Sequence, residues 1–241
     1  MKANVIAILG PVGAGKSTII NILIKQLREN RLKVKSAYIK AFHGPSFALW
    51  KLISYVIAHK EDNKLAPWYV IGKVNPEVAK LLLLVSTYLD SITIPFMLML
   101  KVMLPKFCGA DILIEEYLPG TLLDYIYSFY KLERTGYDHF LPFRILRSLS
   151  IKYKPDVTAL LDADLPILKK HWGERGYGDP QIEYVLFQRR ILPKLLQALN
   201  YEGRIIKFKI TSAQATSIAN QIRSLLTTNA LKENVRTNSR M

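Results

Sequence analysis

A glycine-rich run that joins an apolar segment to an amphipathic one constrains this chain more than any other feature. The run Gly10-Pro-Val-Gly-Ala-Gly-Lys-Ser17 follows the apolar segment Val5-Ile-Ala-Ile-Leu9, and apolar residues then recur at helical spacing up to about Asn30. A strand, a glycine-rich loop and a helix in this order gather backbone N–H groups and the positive end of the helix around one point. The sequence therefore predicts a P-loop that binds phosphate groups.

The predicted P-loop implies a nucleoside triphosphate, ATP or GTP, bound together with Mg²⁺. In this arrangement Lys16 contacts the β- and γ-phosphate oxygens, Ser17 is a ligand of Mg²⁺, and Thr18 reaches the α-phosphate. The backbone of the loop supplies the remaining contacts. The expected nucleotide-binding residues are Gly10, Gly13, Ala14, Gly15, Lys16, Ser17 and Thr18.

Short apolar runs alternate with helical periodicity along most of the chain. This alternation predicts an α/β, three-layer P-loop NTPase fold, in which helices cover both faces of a parallel sheet and ligands bind at the carboxyl ends of the strands. We expect one domain over residues 1–226 and a polar, disordered tail over 227–241. The predicted strands are Val5–Leu9, Val34–Ile39, Asp111–Glu115, Asp156–Asp162 and Arg204–Ile210.

The pattern of loops and helices between the predicted strands is less regular than that of the strands. Proline and glycine residues indicate a loop around residues 66–76, and one long helical region is expected over residues 122–149. The apolar stretch Leu81–Leu104 is long enough to span a bilayer, but Asp90 and Pro95 interrupt it. We therefore expect two buried helical pieces there, broken at Pro95, and no transmembrane segment.

Composition limits the cellular setting and the partners. The only cysteine, Cys108, cannot form an internal disulfide, which favours a reducing compartment and hence the cytoplasm. The formal net charge of +15 favours polyanionic partners, and this includes nucleotide phosphates and nucleic acid. Nucleic acid and a second copy of the chain stay open as partners.

Carboxylates follow two of the predicted strands. The strand at Asp111 ends in Glu115 and Glu116, and the next strand along the chain ends in Asp162 and Asp164. A P-loop enzyme needs an acidic group on the strand beside the first one to hold the Mg²⁺ shell, and alternate side chains of a strand point to opposite faces. We expect Glu115 to be linked to the metal together with Ser17, and Glu116 to bind an acceptor or act as a base.

Several segments resemble the thymidylate kinase-like group of P-loop nucleotide kinases, over most of residues 3–226. The apolar helix before the strand that ends in Glu115-Glu-Tyr117 resembles the family's helix before its Asp-Arg-Tyr strand. The stretch Pro155–Asp164 is similar to the family's Pro-Asp-hydrophobic-Leu-Asp strand. Residues from Lys169 to Gly176 look like its basic lid, and residues 182–199 and 205–226 look like the elements that follow the lid.

The resemblance implies a five-stranded parallel sheet and transfer of the γ-phosphoryl group of ATP to a nucleoside monophosphate or a related acceptor. It also implies that catalysis depends on positioning and charge neutralisation. Lys16, Glu115 and Arg175 are the expected catalytic residues, with Arg175 in a lid over about residues 169–180. Arg189 and Arg190 are second choices for the lid cation.

The chain departs from this family where the acceptor binds. Glu116 stands where the family has the arginine of Asp-Arg-Tyr, and Tyr38-Ile-Lys-Ala-Phe-His-Gly-Pro45 stands where it has Arg-Glu-Pro. These departures argue against thymidylate as the acceptor and keep hydroxyl acceptors such as nucleosides open. The residues expected in the acceptor pocket are Lys40, His43, Phe47, Glu116, Tyr117 and Arg144, with Phe42 and Trp50 in an aromatic wall.

Two other functional classes fit the same residues. An NTPase or nucleotide-dependent regulatory module would use the segment Ile112–Glu116 as an apolar strand whose second carboxylate polarises water, and its basic surface could engage nucleic acid. A protein that binds nucleotide without turnover is the third class. Acceptor-dependent phosphoryl transfer distinguishes the kinase from both.

Overall fold

The computed structural model describes residues 3–58, 67–133, 135–174, 181–211 and 214–224. These residues form a five-stranded sheet with the strand order β2-β3-β1-β4-β5, in which every neighbouring pair is parallel. The strands agree with the sequence prediction to within one residue at each end. They are β1 (Val5–Leu9), β2 (Val34–Tyr38), β3 (Asp111–Glu115), β4 (Val157–Ala163) and β5 (Ile205–Ile210).

Helices connect the strands and cover both faces of the sheet, as predicted. They are α1 (Lys16–Glu29), α2 (Pro45–Ala58), α3 (Pro67–Val74), α4 (Pro76–Leu98), α5 (Leu104–Phe107), α6 (Leu118–Lys131), α7 (Leu141–Lys152), α8 (Leu165–Glu174), α9 (Ile182–Ala198) and α10 (residues 215–224). Parallel strands need such crossover connections because consecutive strands must start from the same edge.

Two hydrophobic clusters fill the space between the sheet and the helices. All five residues of β1 are buried: Val5, Ala7 and Leu9 belong to one cluster, whereas Ile6 and Ile8 belong to the other. The first cluster includes residues of α4, α6, α7 and α9, and the second includes residues of α1 and α10. Burial on both faces explains why the central strands are apolar without alternation.

The region between β2 and β3 differs from the sequence prediction. Residues 67–74 form helix α3, where a loop was predicted, and α4 continues through Pro95 without a break. Ile94 and Leu98 on either side of the proline are buried, so packing against the core holds the helix despite the missing N–H donor. The irregular turn falls later, as a π-helical segment over Met99–Met103.

The predicted helical region over residues 122–149 is also wrong in its continuity. Helix α6 ends at Lys131, a 3₁₀ turn covers Tyr137–His139, and α7 begins at Leu141. Gly136 has φ +74°, a conformation that interrupts a right-handed helix. The C-terminal part of the predicted lid, including Arg175, and the tail over 227–241 lie outside the described residues.

Helix α4 exposes more apolar surface than the sequence prediction of buried helical pieces allows. The segment Pro76–Phe107 is the candidate membrane span among the described residues, by length and composition alone, and 44% of its most apolar window is buried inside the protein. Ile92 is 71% exposed and Phe107 is 91% exposed. One apolar helix of this kind is weak support for a membrane span, since core helices of soluble proteins have the same composition.

Candidate functional site

The P-loop follows the carboxyl end of β1 and depends on glycine at two crowded positions. Gly10 has φ +149°, and a Cβ there would lie 2.3 Å from the carbonyl oxygen of Leu161. Gly13 has φ +87°, and a Cβ there would lie 2.6 Å from the carbonyl oxygen of Leu168. Both positions combine a left-handed backbone with close backbone neighbours, so only glycine allows this loop geometry.

Two side chains from outside the loop hold its backbone. The amide of Val12 donates to Oε1 of the buried Gln188 on α9, at 3.1 Å. Nδ1 of His171 on α8 lies 2.8 Å from the carbonyl oxygen of Gly13, and because a carbonyl can only accept, Nδ1 is the donor. Helix α8, which contains the first residues of the predicted lid, and α9, which follows the lid, therefore both contact the P-loop directly.

Lys16 is the first residue of α1, and its side chain is folded back onto the loop. Its Nζ donates to the carbonyl oxygens of Gly10 at 2.9 Å and of Pro11 at 3.0 Å, and it lies 3.0 Å from Oε1 of Glu116. Only 4% of the Lys16 side chain is exposed. The buried ammonium is thus neutralised by the Glu116 carboxylate.

Ser17 and Glu115 meet at the start of α1. Ser17 Oγ donates to Oε1 of Glu115 at 2.7 Å, and Glu115 ends β3, which lies directly beside β1. A hydroxyl oxygen and a carboxylate oxygen match the donors with which Mg²⁺ is usually held, together with phosphate oxygens and water. The structure brings together the two residues that the sequence paired as metal ligands, and their donor chemistry fits the metal.

Glu116 has an unusual backbone conformation and a closely fitted side chain. Its φ is +53°, and the residue is only 6% exposed. A Cβ on Gly120 would lie 2.8 Å from Oε2 of Glu116, so the absence of a side chain at Gly120 makes room for the carboxylate. The strained backbone turns Glu116 towards Lys16, whereas Glu115 faces Ser17.

Lys40 forms an ion pair with Asp124, which is in turn hydrogen-bonded to Tyr184, and the sequence analysis identified neither of these two residues. Lys40 Nζ lies 3.9 Å from Oδ2 of Asp124 on α6, and Oδ1 of Asp124 accepts a hydrogen bond from the hydroxyl of Tyr184 on α9. Burial lowers the pKa of Lys40, but the carboxylates of Asp124 and Glu116 outweigh it, so the net shift is upward. Asp124 is a lone carboxylate in the apolar helix α6, and this is the sequence feature from which the cluster could have been identified.

One cluster is formed by Lys40, Glu116, Asp124 and Tyr184. The pKa values of Asp124 and of the neighbouring tyrosines are shifted in this cluster. Burial raises the pKa of Asp124 to about 6, although Lys40 partly opposes the shift. Burial raises the pKa of Tyr38 to about 12 and holds the pKa of Tyr184 well above its usual range. Both tyrosines are therefore neutral hydrogen-bonding groups at pH 7.

Aromatic rings cover the side of the cluster next to α2. The rings of Tyr38 and His43 meet edge to face with centroids 4.9 Å apart, and His43 stacks on Phe47 at 6.4 Å. Nδ1 of His43 donates to the carbonyl oxygen of Ala41, and burial lowers the pKa of His43. Two of the residues predicted for an acceptor pocket, His43 and Phe47, thus stack on each other, and His43 is close enough to Lys40 for its charge to influence the pKa of His43.

A buried carboxylate fixes the loop between β2 and α2. Asp90 on α4 accepts hydrogen bonds from Ser46 Oγ at 2.6 Å, Tyr125 OH at 2.7 Å and the amide of Phe42 at 2.9 Å. Phe42 has φ +57°, so these contacts hold a strained backbone two residues beyond Lys40. Burial raises the pKa of Asp90.

Other residues proposed for the acceptor pocket lie elsewhere. Tyr117 is buried in the core and donates its hydroxyl to the carbonyl oxygen of Tyr153 at 2.7 Å. Arg144 is exposed on α7, and none of the described contacts links it to the cluster. Phe42 and Trp50 are core residues whose rings meet edge to face at 5.9 Å. Their apolar or helical sequence context could not distinguish a pocket wall from the core.

The carboxylates of Asp162, in β4, and of Asp164, directly after it, have structural partners. Asp162 accepts two hydrogen bonds from Arg189, at 2.8 and 2.9 Å, and Asp164 lies 3.1 Å from Nζ of Lys209. Arg189 is therefore held by a carboxylate in this structure, and Arg190 is exposed. Arg175 lies outside the described residues. Thr18 is exposed at the start of α1, beside Ser17.

Comparisons with known proteins add no assignment. No protein-family model matches the chain, and no curated protein is significantly similar to it.

Proposed function

We propose that this protein is an ATP-dependent phosphotransferase that binds Mg²⁺ and transfers the γ-phosphoryl group to a small acceptor. The observation that carries the proposal is the contact of Ser17 with Glu115 beside the P-loop. It joins the helix start that receives the phosphates to the strand end that holds the metal shell. The thymidylate kinase-like resemblance supports the same class of reaction.

Different residues of the chain would bind the two substrates. The P-loop backbone binds the phosphates, Ser17 and Glu115 would hold Mg²⁺, and Lys16 would turn from Glu116 to the β- and γ-phosphate oxygens. Bound Mg²⁺ would neutralise charge on these oxygens. Lys40 and the aromatic residues on the other side of Glu116 would contact the acceptor, which is a nucleoside monophosphate or a related molecule.

Labelling with γ-³²P-ATP tests this proposal directly. Wild-type protein is incubated with a panel of nucleosides, nucleoside monophosphates and other small alcohols, and products are separated from ATP and phosphate. Lys16→Ala should abolish labelling, whereas Lys25→Ala, which removes an exposed lysine of the same helix, should leave it unchanged. Acceptor-independent release of phosphate would support the NTPase instead, and ATP binding with neither product would support a binding protein.

We also propose a second copy of the chain as a partner, seated on the exposed face of α4 and α5. Eight large apolar side chains recur there at helical spacing: Leu81, Val85, Tyr88, Ile92, Phe96, Met99, Met103 and Phe107. At roughly 200 Å² for a fully exposed large side chain, they present roughly 900 Å². This exceeds the largest apolar patch of a typical monomer and matches the roughly 800 Å² per partner of a stable interface.

A further inference from the structure

A cleft lies between α9 and the edge strand β5. Its volume is about 350 Å³, which falls within the range of roughly 300 to 1,000 Å³ for small-molecule sites. Its surface is mostly apolar, and it is lined by Leu160 of β4, by Leu192 and Pro193 of α9, and by Pro11 of the P-loop. No residue of the cluster around Asp124 lines it, so this cleft is separate from the expected acceptor pocket.

The face of β5 that borders this cleft carries lysines. Phe208 packs against the second hydrophobic cluster, so its neighbours Lys207 and Lys209 point to the opposite face of the sheet. In the parallel register Lys207 lies beside Leu160, and Lys209 lies beside Asp162. A sheet face that is covered by a helix has apolar residues at such positions. The two exposed lysines therefore show that this face of β5 is open to solvent beyond α9.

Positive charge exceeds negative charge along the cleft. Asp162 is the carboxylate among the described lining residues, and Arg189 donates two hydrogen bonds to it, at 2.8 and 2.9 Å. Lys209 is paired with Asp164, whose carboxylate lies 3.1 Å from its Nζ. Among the described residues, Lys207 has no carboxylate partner. The cleft thus offers one uncompensated ammonium group beside an apolar surface.

We propose that this cleft binds a small apolar molecule that carries one carboxylate group. The apolar body lies against Leu160, Leu192 and Pro193, and the carboxylate pairs with Lys207 at the solvent side. Burial of apolar surface supplies most of the affinity, and the ion pair supplies the selectivity. A single free ammonium balances one negative charge, which favours a carboxylate over a phosphate dianion. The site does not depend on the proposed phosphotransferase function.

Octanoate and 1-octanol test this proposal, because they share the apolar chain and only octanoate is charged. NMR titration of the full chain measures both affinities and locates the ligand through amide shifts. Octanoate should bind about fivefold more tightly than octanol, the upper end for an exposed ion pair, and should shift the amides of Leu192 and Phe208. Equal affinity for the two probes would overturn recognition of the carboxylate. Absence of octanoate binding, or shifts confined to the exposed apolar face around Ile92, would overturn the site.

Lys207→Met then tests the role of the ammonium group, since methionine keeps an apolar side chain and removes the charge. Octanoate affinity should fall about fivefold, to the level of octanol, and octanol affinity should stay unchanged. Lys194→Met, at an exposed position of α9 outside the cleft lining, is the matched control and should bind octanoate as wild type does. Wild-type octanoate affinity in Lys207→Met would overturn the proposal, because the lysines of β5 would then only protect an edge strand from pairing with other chains.

Discussion

Lys16 Nζ and Glu116 Oε1 form a buried ion pair at 3.0 Å, with 4% and 8% of the two side chains exposed. The pair joins the first residue of α1 to the residue that follows β3. It places a carboxylate against the lysine that the P-loop pattern assigns to the nucleotide phosphates. Under the proposed function, a bound nucleotide would compete with Glu116 for Lys16.

Glu116→Gln should tighten ATP binding about tenfold, a change of about 1.4 kcal/mol. The substitution keeps the shape of the side chain but removes the charge that holds Lys16 and repels the triphosphate. Isothermal titration calorimetry with Mg²⁺-ATP measures the change, and the exposed Glu202→Gln serves as the matched control. Weaker binding by Glu116→Gln would show that Glu116 assists the nucleotide site instead of competing with it.

Lys16→Ala should lower the free energy of unfolding by about 3 to 5 kcal/mol, because it removes the cation that pairs with the buried Glu116 carboxylate at 3.0 Å. The double variant Lys16→Ala with Glu116→Gln should recover a large part of this loss, since the buried charge is then gone as well. Urea unfolding of the three proteins measures both effects. Equal stability of the single and double variants would contradict the energetic coupling of the pair.

Gly13→Ala should destabilise the protein by at least about 2 kcal/mol and abolish ATP binding, because alanine is strained at φ +87° and its Cβ would meet the carbonyl oxygen of Leu168. Gly173→Ala is the matched control in α8, where an added Cβ meets no atom within 4 Å. That control should gain up to about 1 kcal/mol from helix propensity. Thermal unfolding and nucleotide titration check both variants.

The stability of the protein should carry a pH dependence from Asp124. Its folded-state pKa of about 6 exceeds the ordinary value of 3.8, so between these values the folded state binds more protons than the unfolded state. The stabilisation from this proton is complete below about pH 4 and is lost as pH rises through 6, by about 3 kcal/mol at most. The free energy of unfolding of Asp124→Asn relative to wild type should therefore rise from pH 4 to pH 7 in urea titrations. A constant difference would contradict the raised pKa.

Charging the exposed face of α4 should convert a dimer to a monomer. Ile92→Lys combined with Phe96→Lys places two like charges on each copy of the apolar face, which a second copy could not bury without cost. Light scattering after size exclusion should report the 27.5 kDa monomer for this variant and twice that mass for wild type. Leu186→Lys, at an exposed apolar position of α9, should remain dimeric. A monomeric wild type would overturn the proposed partner.

The local sequence pattern was sufficient to predict the positions of the strands and of the P-loop. The five strands were predicted to within a residue because each is an apolar run bounded by turn residues, and burial on both faces gives such strands their composition. The proximity of Ser17 and Glu115 was also predicted, because the P-loop pattern calls for a carboxylate at the end of the strand beside β1. Helix α3 and the continuity of α4 through Pro95 did not follow, because packing against the core overrides the local preference of proline and glycine.

The sequence by itself determined the P-loop half of the candidate site, because its residues are neighbours along one loop and the spacing of the glycines sets their geometry. Only the tertiary structure decided the other half. Lys40 lies two residues after the end of β2, Asp124 lies on α6 and Tyr184 on α9. They meet because the sheet order and the helix packing bring distant segments to one edge. Tertiary packing also decided that Tyr117 is buried in the core, because the residue type alone does not determine which neighbours surround the side chain.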